Sequence, residues 1–183
     1  MSDFLEKVIA HLRQRSLRTD GPFVLASGRE SSWYLDARQT TLDGFGAALV
    51  GSAFLDALDS RTTAVGGMTL GADPIAVATA VAAASQGRSL VAFSIRRQAK
   101  DHGTGGRLVG PVTASDRITV VEDTTTTGEA LGEAIEVLIQ HGMEVLEAIA
   151  LVDRSGGDVE RRLHDLGIPY RGLITPADLG VEP

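Results

Sequence analysis

Four stretches of this 183-residue chain are apolar runs that scarcely alternate with polar residues: Ala64-Val-Gly-Gly, Leu90-Val-Ala-Phe-Ser-Ile, Ile118-Thr-Val-Val and Val145-Leu-Glu-Ala-Ile-Ala-Leu-Val. A strand of this kind has both faces covered, as in a parallel sheet lying between helices. Helical periodicity fills the intervals, at about 44–59, 73–86, 127–141 and 156–167. The clearest helix puts Leu131, Ala134, Ile135, Leu138 and Ile139 on one stripe, with Glu129, Glu133 and Glu136 mainly off it and Gly142 as a stop. Strand and helix in alternation predict an α/β fold with a doubly wound, mainly parallel central sheet flanked by helices.

The first 40 residues break that alternation. Phe4, Leu5, Val8, Ile9 and Leu12 form one amphipathic stripe, and Phe23-Val-Leu and Trp33-Tyr-Leu suggest short strands around Ser27-Gly-Arg. We expect one domain over residues 1–183, with about 1–42 as a small N-terminal subdomain on one end of an α/β core at about 43–183. Ligands of open α/β sheets bind at the carboxyl ends of strands, so the loops that follow strands carry the chemistry.

The most informative of these is Val120-Val-Glu-Asp-Thr-Thr-Thr-Thr-Gly-Glu. Backbone amides entering a helix, supplemented by threonine hydroxyls, make an anion site, and Gly128 lets the backbone approach a phosphate. Glu122 and Asp123 repel that phosphate; they suit ribose hydroxyls or a divalent ion. Acids on one side and donors on the other describe a sugar phosphate. A capping box, Thr126-x-x-Glu129, is the simpler reading, but it employs only one of the four threonines. No Gly-Lys-Ser/Thr follows, and G-x-G-x-x-G is absent, so neither a Walker loop nor a dinucleotide fingerprint is present.

Charge adds a second candidate. With 17 Lys+Arg and 24 Asp+Glu the chain carries 17 − 24 = −7. Yet residues 96–107 hold Arg96, Arg97, Lys100 and Arg107 against Asp101 alone, together with Gly103, Gly105 and Gly106. A flexible cationic loop beside a sheet end suits a polyphosphate: it closes, excludes water and neutralises a leaving group. A solvated surface loop has the same composition. The acidic remainder argues against general nucleic-acid binding. The absence of cysteine excludes disulfides and thiolate zinc cages. The longest apolar stretch, Ile75–Ser85, is about half of what a bilayer needs, and the charged N-terminus lacks a signal-peptide core. A cytoplasmic protein without membrane partners is expected.

Val120–Gly128 resembles the phosphoribosyl-pyrophosphate (PRPP) signature of type I phosphoribosyltransferases. That resemblance implies that Glu122 and Asp123 hold the ribose hydroxyls and that Thr124, Thr125, Thr126, Thr127, Gly128, Glu129 and Ala130 form the PRPP loop around the 5′-phosphate. Phe93-Ser-Ile-Arg-Arg-Gln-Ala-Lys-Asp-His-Gly resembles the catalytic loop of orotate phosphoribosyltransferases. It implies catalytic Arg96, Lys100 and His102, a PRPP contact from Arg97 where the family commonly has Lys, and a homodimer, because the family's loop enters the partner's site. Leu25–Arg38 is similar to the segment that forms a hood over the base, with Ala26 where many members have Lys. Thr69-Leu-Gly-Ala resembles the pyrophosphate loop, here without Lys and so with a backbone role. Asp73-Pro74 after it reads as N-cap and first residue of a helix.

Arg154, in Leu151-Val-Asp-Arg-Ser-Gly, matches the family's contact to the orotate carboxylate, with Thr126 also touching the base; otherwise it is a surface residue at a helix start. His11, His141 and His164 read as surface residues. The resemblance implies transfer of phosphoribose from PRPP to orotate in pyrimidine biosynthesis, with Mg²⁺ bound mainly through PRPP rather than by the protein. Two other readings stay open: a purine phosphoribosyltransferase, or a non-catalytic PRPP-sensing regulator that binds nucleic acid.

Overall fold

The structure, a computed structural model, describes residues 2–24, 28, 30–100 and 106–182, with the backbone alone for Lys100. Helix α1 (Asp3–Arg15), the two-residue strands β1 (Leu17–Arg18), β2 (Phe23–Val24), β3 (Glu30–Ser31) and β4 (Tyr34–Leu35), and the short α2 (Arg38–Thr41) come first. Then follow α3 (Gly44–Ala57), β5 (Ala64–Met68), α4 (Ala72–Ser85), β6 (Val91–Lys100), β7 (Gly106–Val109) and β8 (Arg117–Thr125). The chain continues through α5 (Glu129–Gln140), β9 (Glu144–Asp153), α6 (Asp158–Asp165), β10 (Tyr170–Ile174) and α7 (Pro176–Leu179). Among the described residues the central sheet has the order β10-β9-β8-β5-β6-β7. All its neighbours are parallel except β6 and β7.

Two cores account for the apolar runs. Val65, Val121, Ile149 and Leu151 face a cluster shared with Val8, Phe54 and Ile75 of α1, α3 and α4. Ala64, Ile118, Val120 and Ala148 face a second cluster with Leu131 and Leu138 of α5 and Leu163 of α6. Successive strand residues point to opposite faces, so a strand covered on both sides is apolar at every position. The helical stripe of α5 is rotated by one edge position from the sequence expectation: Val137 is buried and Ile139 is exposed.

The N-terminal runs become strands with unexpected partners, since β2 pairs with β3 and β1 with β4. Trp33 and Leu35 enter the first core, whereas Tyr34 stays accessible. Strands β7 and β10 have no apolar run to announce them, because both lie at sheet edges with exposed positions. The cationic segment is partly strand: Arg96, Arg97 and the Lys100 backbone belong to β6, which folds back against β7 through a register shift between Ile95 and Lys100. His102 lies outside the described residues, as do Ala26 and Arg29.

Two side chains correct the sequence reading, His11 and Asp73, and a third, Glu147, shows what the sequence left unread. His11 is no surface residue: Nε2 lies 3.2 Å from Asp43 Oδ1 and Nδ1 lies 3.1 Å from Thr40 Oγ1, tying α1 to the start of α3. Glu147, within an apolar run, is buried and accepts the Asp59 amide at 2.7 Å and Arg171 at 2.7 Å. Asp73 is not the N-cap of α4, which is Gly71; its carboxylate accepts the hydroxyls of Thr69 (2.6 Å) and Ser94 (2.5 Å).

Candidate active site

The PRPP-like segment begins as strand. Glu122 and Asp123 are still within β8, and pairing with β9 continues through Glu122↔Ala150 to Thr125↔Asp153. The chain then turns at Thr126-Thr127-Gly128 into α5. Gly128 has φ +71°, a left-handed conformation that costs an L-residue about 1–2 kcal/mol. A Cβ there would also lie 3.0 Å from Val159 Cγ2. Gly128 is the N-cap of α5 and has no side chain to cap it, so the Thr126–Glu129 capping box does not form; the Glu129 amide donates instead to Thr127 Oγ1 at 3.4 Å. Beyond that long bond the first turn of α5 points its amides outward, where an anion could take them, with Thr126 and Thr127 exposed beside them.

A cleft of about 660 Å³ opens at this strand tip. Tyr34 and Arg38 border it on one side, Thr69-Leu70-Gly71 on another, and Arg97, Glu122, Asp123 and Thr124 form the rest of its chemistry. The Thr69–Leu70 peptide is cis. Gly71 presses its backbone against the acids: a Cβ on it would sit 2.7 Å from Asp123 Oδ1 and 2.8 Å from Glu122 Oε1. Its φ of −60° is available to any residue, so the requirement is one of space rather than conformation. Ala130 also lines the cleft, whereas Thr125 is buried beneath it and Glu129 is exposed on α5.

Both acids are buried enough for their protonation to matter. Burial, then the neighbouring Asp123, push Glu122 up to about 8, against the pull of Arg97. Burial also raises Asp123, opposed by the Thr124 amide at 2.7 Å and by Arg38. Burial and the adjacent Asp123 thus both favour a proton on Glu122. Glu122 Oε2 is buried and has no hydrogen-bond partner among the described residues. A buried acceptor left unpaired costs roughly 1–3 kcal/mol, which a ligand hydroxyl reaching it recovers. A vicinal diol fits: one hydroxyl for each carboxyl.

Arg97 lines the cleft, but Arg96 does not; it is half-buried and its backbone carbonyl accepts Arg107 Nε at 2.7 Å. Arg154 follows β9, where its amide donates to the Thr125 carbonyl at 2.9 Å, beside the threonine loop. Its guanidinium lies over the Trp33 ring, 4.1 Å from the centroid, and burial lowers its pKa against the influence of Tyr34. A surface residue at a helix start is therefore the wrong description. Arg38 had no role of its own in the sequence reading, and Gly71 had only a backbone role in the pyrophosphate loop, with no demand for glycine. A lone arginine before a short helix carries no periodic signal, and a steric demand for glycine is set by residues fifty positions away.

Among the described residues no three His, Cys, Asp or Glu side chains cluster to hold a metal. The paired acids fit a divalent ion brought by a phosphorylated ligand, since Mg²⁺ keeps several waters and takes only one or two carboxylates beside substrate phosphates. A more apolar groove of about 550 Å³ lies between α3 and α4, lined by Leu42, Val77 and Val81 and by no charged residue. No transmembrane-length apolar helix occurs among the described residues.

No protein-family model matches the chain. It is 40% identical over 183 residues to orotate phosphoribosyltransferase of Streptomyces avermitilis, covering all of both chains. It superposes on the crystal structure of Mycobacterium tuberculosis orotate phosphoribosyltransferase in complex with Fe(III) dicitrate with a TM-score of 0.87, at 35% identity, covering 97% of this chain and 99% of that one. The same enzyme in complex with PRPP superposes with a TM-score of 0.82 at 31% identity, again covering 97% of this chain and 99% of that one. With a parallel sheet of the type I phosphoribosyltransferases and this likeness over its whole length, the chain belongs to the orotate phosphoribosyltransferase family.

Proposed function

We propose that the protein transfers the phosphoribosyl group of PRPP to orotate, giving orotidine 5′-monophosphate and pyrophosphate for pyrimidine nucleotide synthesis. The observation that carries this reading is the buried Glu122–Asp123 pair in the cleft with Arg97, directly before the open N-terminus of α5. The acids take the ribose hydroxyls, the Thr124–Gly128 turn takes the 5′-phosphate, and the backbone at Thr69–Gly71 faces the pyrophosphate.

In the reaction the C1′–O bond to pyrophosphate breaks with its electron pair on the leaving oxygen. The C1′–N1 bond to orotate forms, and the N1 proton leaves to the medium. Positive charge builds on ribose, close to the carboxyls of Glu122 and Asp123, while negative charge builds on pyrophosphate, which Arg97, Lys100, His102 and Arg96 neutralise. Glu122 and Asp123 would be the carboxylates to hold Mg²⁺ brought by PRPP, and the ion would supply further neutralisation of phosphate charge. Arg154 offers a planar fork to the orotate carboxylate, with Thr126 beside it.

We read residues 1–183 as one phosphoribosyltransferase domain with 1–42 as the hood, because Trp33 and Leu35 share a core with α3, α4 and the sheet. The protein works in the cytoplasm as a homodimer with shared sites. Leu42, 72% exposed, joins Leu70, Val77 and Val81 in an apolar face that runs from the α3–α4 groove to the pyrophosphate loop. A second copy covering this face adjoins the cleft, and Arg96, which lies out of its own cleft, is then available to the partner's. Orotidine monophosphate formed from orotate, PRPP and Mg²⁺ tests the reading. Turnover of adenine or hypoxanthine with no turnover of orotate overturns it.

A further inference from the structure

Arg154 is held in an unusual way. Among the described residues its guanidinium makes no ion pair, although it is half-buried and burial lowers its pKa. What it meets is the face of Trp33, at 4.1 Å from the ring centroid, well inside the roughly 6 Å range of a cation–π contact. Trp33 is itself buried, 5% exposed, and its indole N–H donates to the backbone carbonyl of Glu182 at 2.8 Å. The C-terminal segment that supplies this carbonyl is tied down in turn. Arg13 of α1 donates to the carbonyls of Asp178 (2.6 Å) and Leu179 (3.2 Å), and the Val181 amide donates to Pro176 at 3.1 Å.

We propose that Trp33 is a positioning residue for base recognition, with its indole face holding the Arg154 guanidinium and the C-terminal Glu182 carbonyl holding the indole. This rests on the reading that Arg154 takes the orotate carboxylate. The physical reason is the direction in which each contact is made. An ion pair would consume the in-plane N–H fork of Arg154, whereas stacking uses only the guanidinium face and leaves the fork for a bidentate carboxylate. The backbone of Arg154 is already fixed by its amide bond to Thr125, so the ring needs to fix only the side chain. Orientation established before binding lowers the ordering cost that orotate would otherwise meet.

The test compares the full-length enzyme with Trp33→Leu, Trp33→Phe, Arg154→Ala, the Trp33→Leu/Arg154→Ala pair and a chain lacking Glu182 and Pro183. Trp33→Leu is expected to raise KM for orotate about 3- to 30-fold, the span of a cation–π contact, with KM for PRPP unchanged. Trp33→Phe, which keeps an aromatic face, is expected to restore most of the loss. Added to Arg154→Ala, Trp33→Leu is expected to do nothing more, since its effect passes through Arg154. Removing Glu182 and Pro183 leaves the core intact and is expected to raise KM for orotate about 3-fold, as loss of one neutral hydrogen bond does; this variant keeps the proposal testable where Trp33→Leu does not fold. Equal rises in both KM values, additivity with Arg154→Ala, or an unchanged KM for orotate in the shortened chain overturns the role of Trp33. An Arg154→Ala enzyme with unchanged KM for orotate instead overturns the reading of Arg154 on which the proposal rests.

Discussion

Gly71→Ala separates the demands of the site from those of the fold. The residue has φ −60° and ψ −46°, ordinary helical values, so alanine adopts them without strain. Its Cβ, however, would stand 2.7 Å from Asp123 Oδ1 and 2.8 Å from Glu122 Oε1, where ordinary contact begins at 3.4 Å. The carboxyl ends can give where the backbone cannot, so the acids move away by several tenths of an ångström, and Asp123 Oδ1 strains its bond from the Thr124 amide. Hydrogen bonds to charged groups are worth about 1.5–3 kcal/mol and fade over such distances, so losing one should weaken PRPP binding roughly 10- to 150-fold. Stability moves little, because alanine restricts the unfolded chain by about 0.4–1 kcal/mol in the protein's favour and the displaced carboxyls offset part of that gain. Titration calorimetry with Mg²⁺ and PRPP, beside thermal unfolding of the same samples, measures both quantities. Unchanged PRPP affinity would refute the placement of the ribose on these acids, and a parallel collapse of stability would mean that Gly71 serves the fold.

Glu122 rises from 4.5 to about 8 on folding, so between those values the folded chain holds a proton that the unfolded chain has lost, and stability falls as pH rises through that window. Glu122→Gln should flatten the dependence of Tm on pH across it; two parallel Tm curves would contradict the buried-acid argument. Gly128→Ala places a side chain at φ +71° and against Val159, so Tm should drop by an amount matching about 1–2 kcal/mol, and an unaltered melting curve would disprove the strain. Lys100→Ala should lower kcat by about 10²–10³ with a smaller change in KM for orotate. Mixing Lys100→Ala with Asp123→Asn chains should then recover part of the activity in mixed dimers; mixtures as inactive as both parents would mean that each site is built from one chain.

The alternation of covered strands and amphipathic helices depends on local periodicity, and the residues of β5, β6, β8 and β9 carried it openly. So did Glu122-Asp123 and the threonine run, because adjacent acids and donors need no tertiary knowledge to be seen as sugar-phosphate chemistry. Edge strands β7 and β10 escaped, since a strand with an exposed side does not have to be apolar. Asp73 looked like a helix cap from its neighbour Pro74, yet Thr69 and Ser94 had the stronger claim on its carboxylate once β5 and β6 were side by side. His11 and Glu147 likewise found partners on other elements. Only the folded chain decided that Glu122 keeps a proton, that Gly71 has no room for a Cβ and that Arg154 rests on Trp33. Each of these depends on burial and close approach between segments far apart in sequence, and sheet order and packing settle such distances where residue spacing does not.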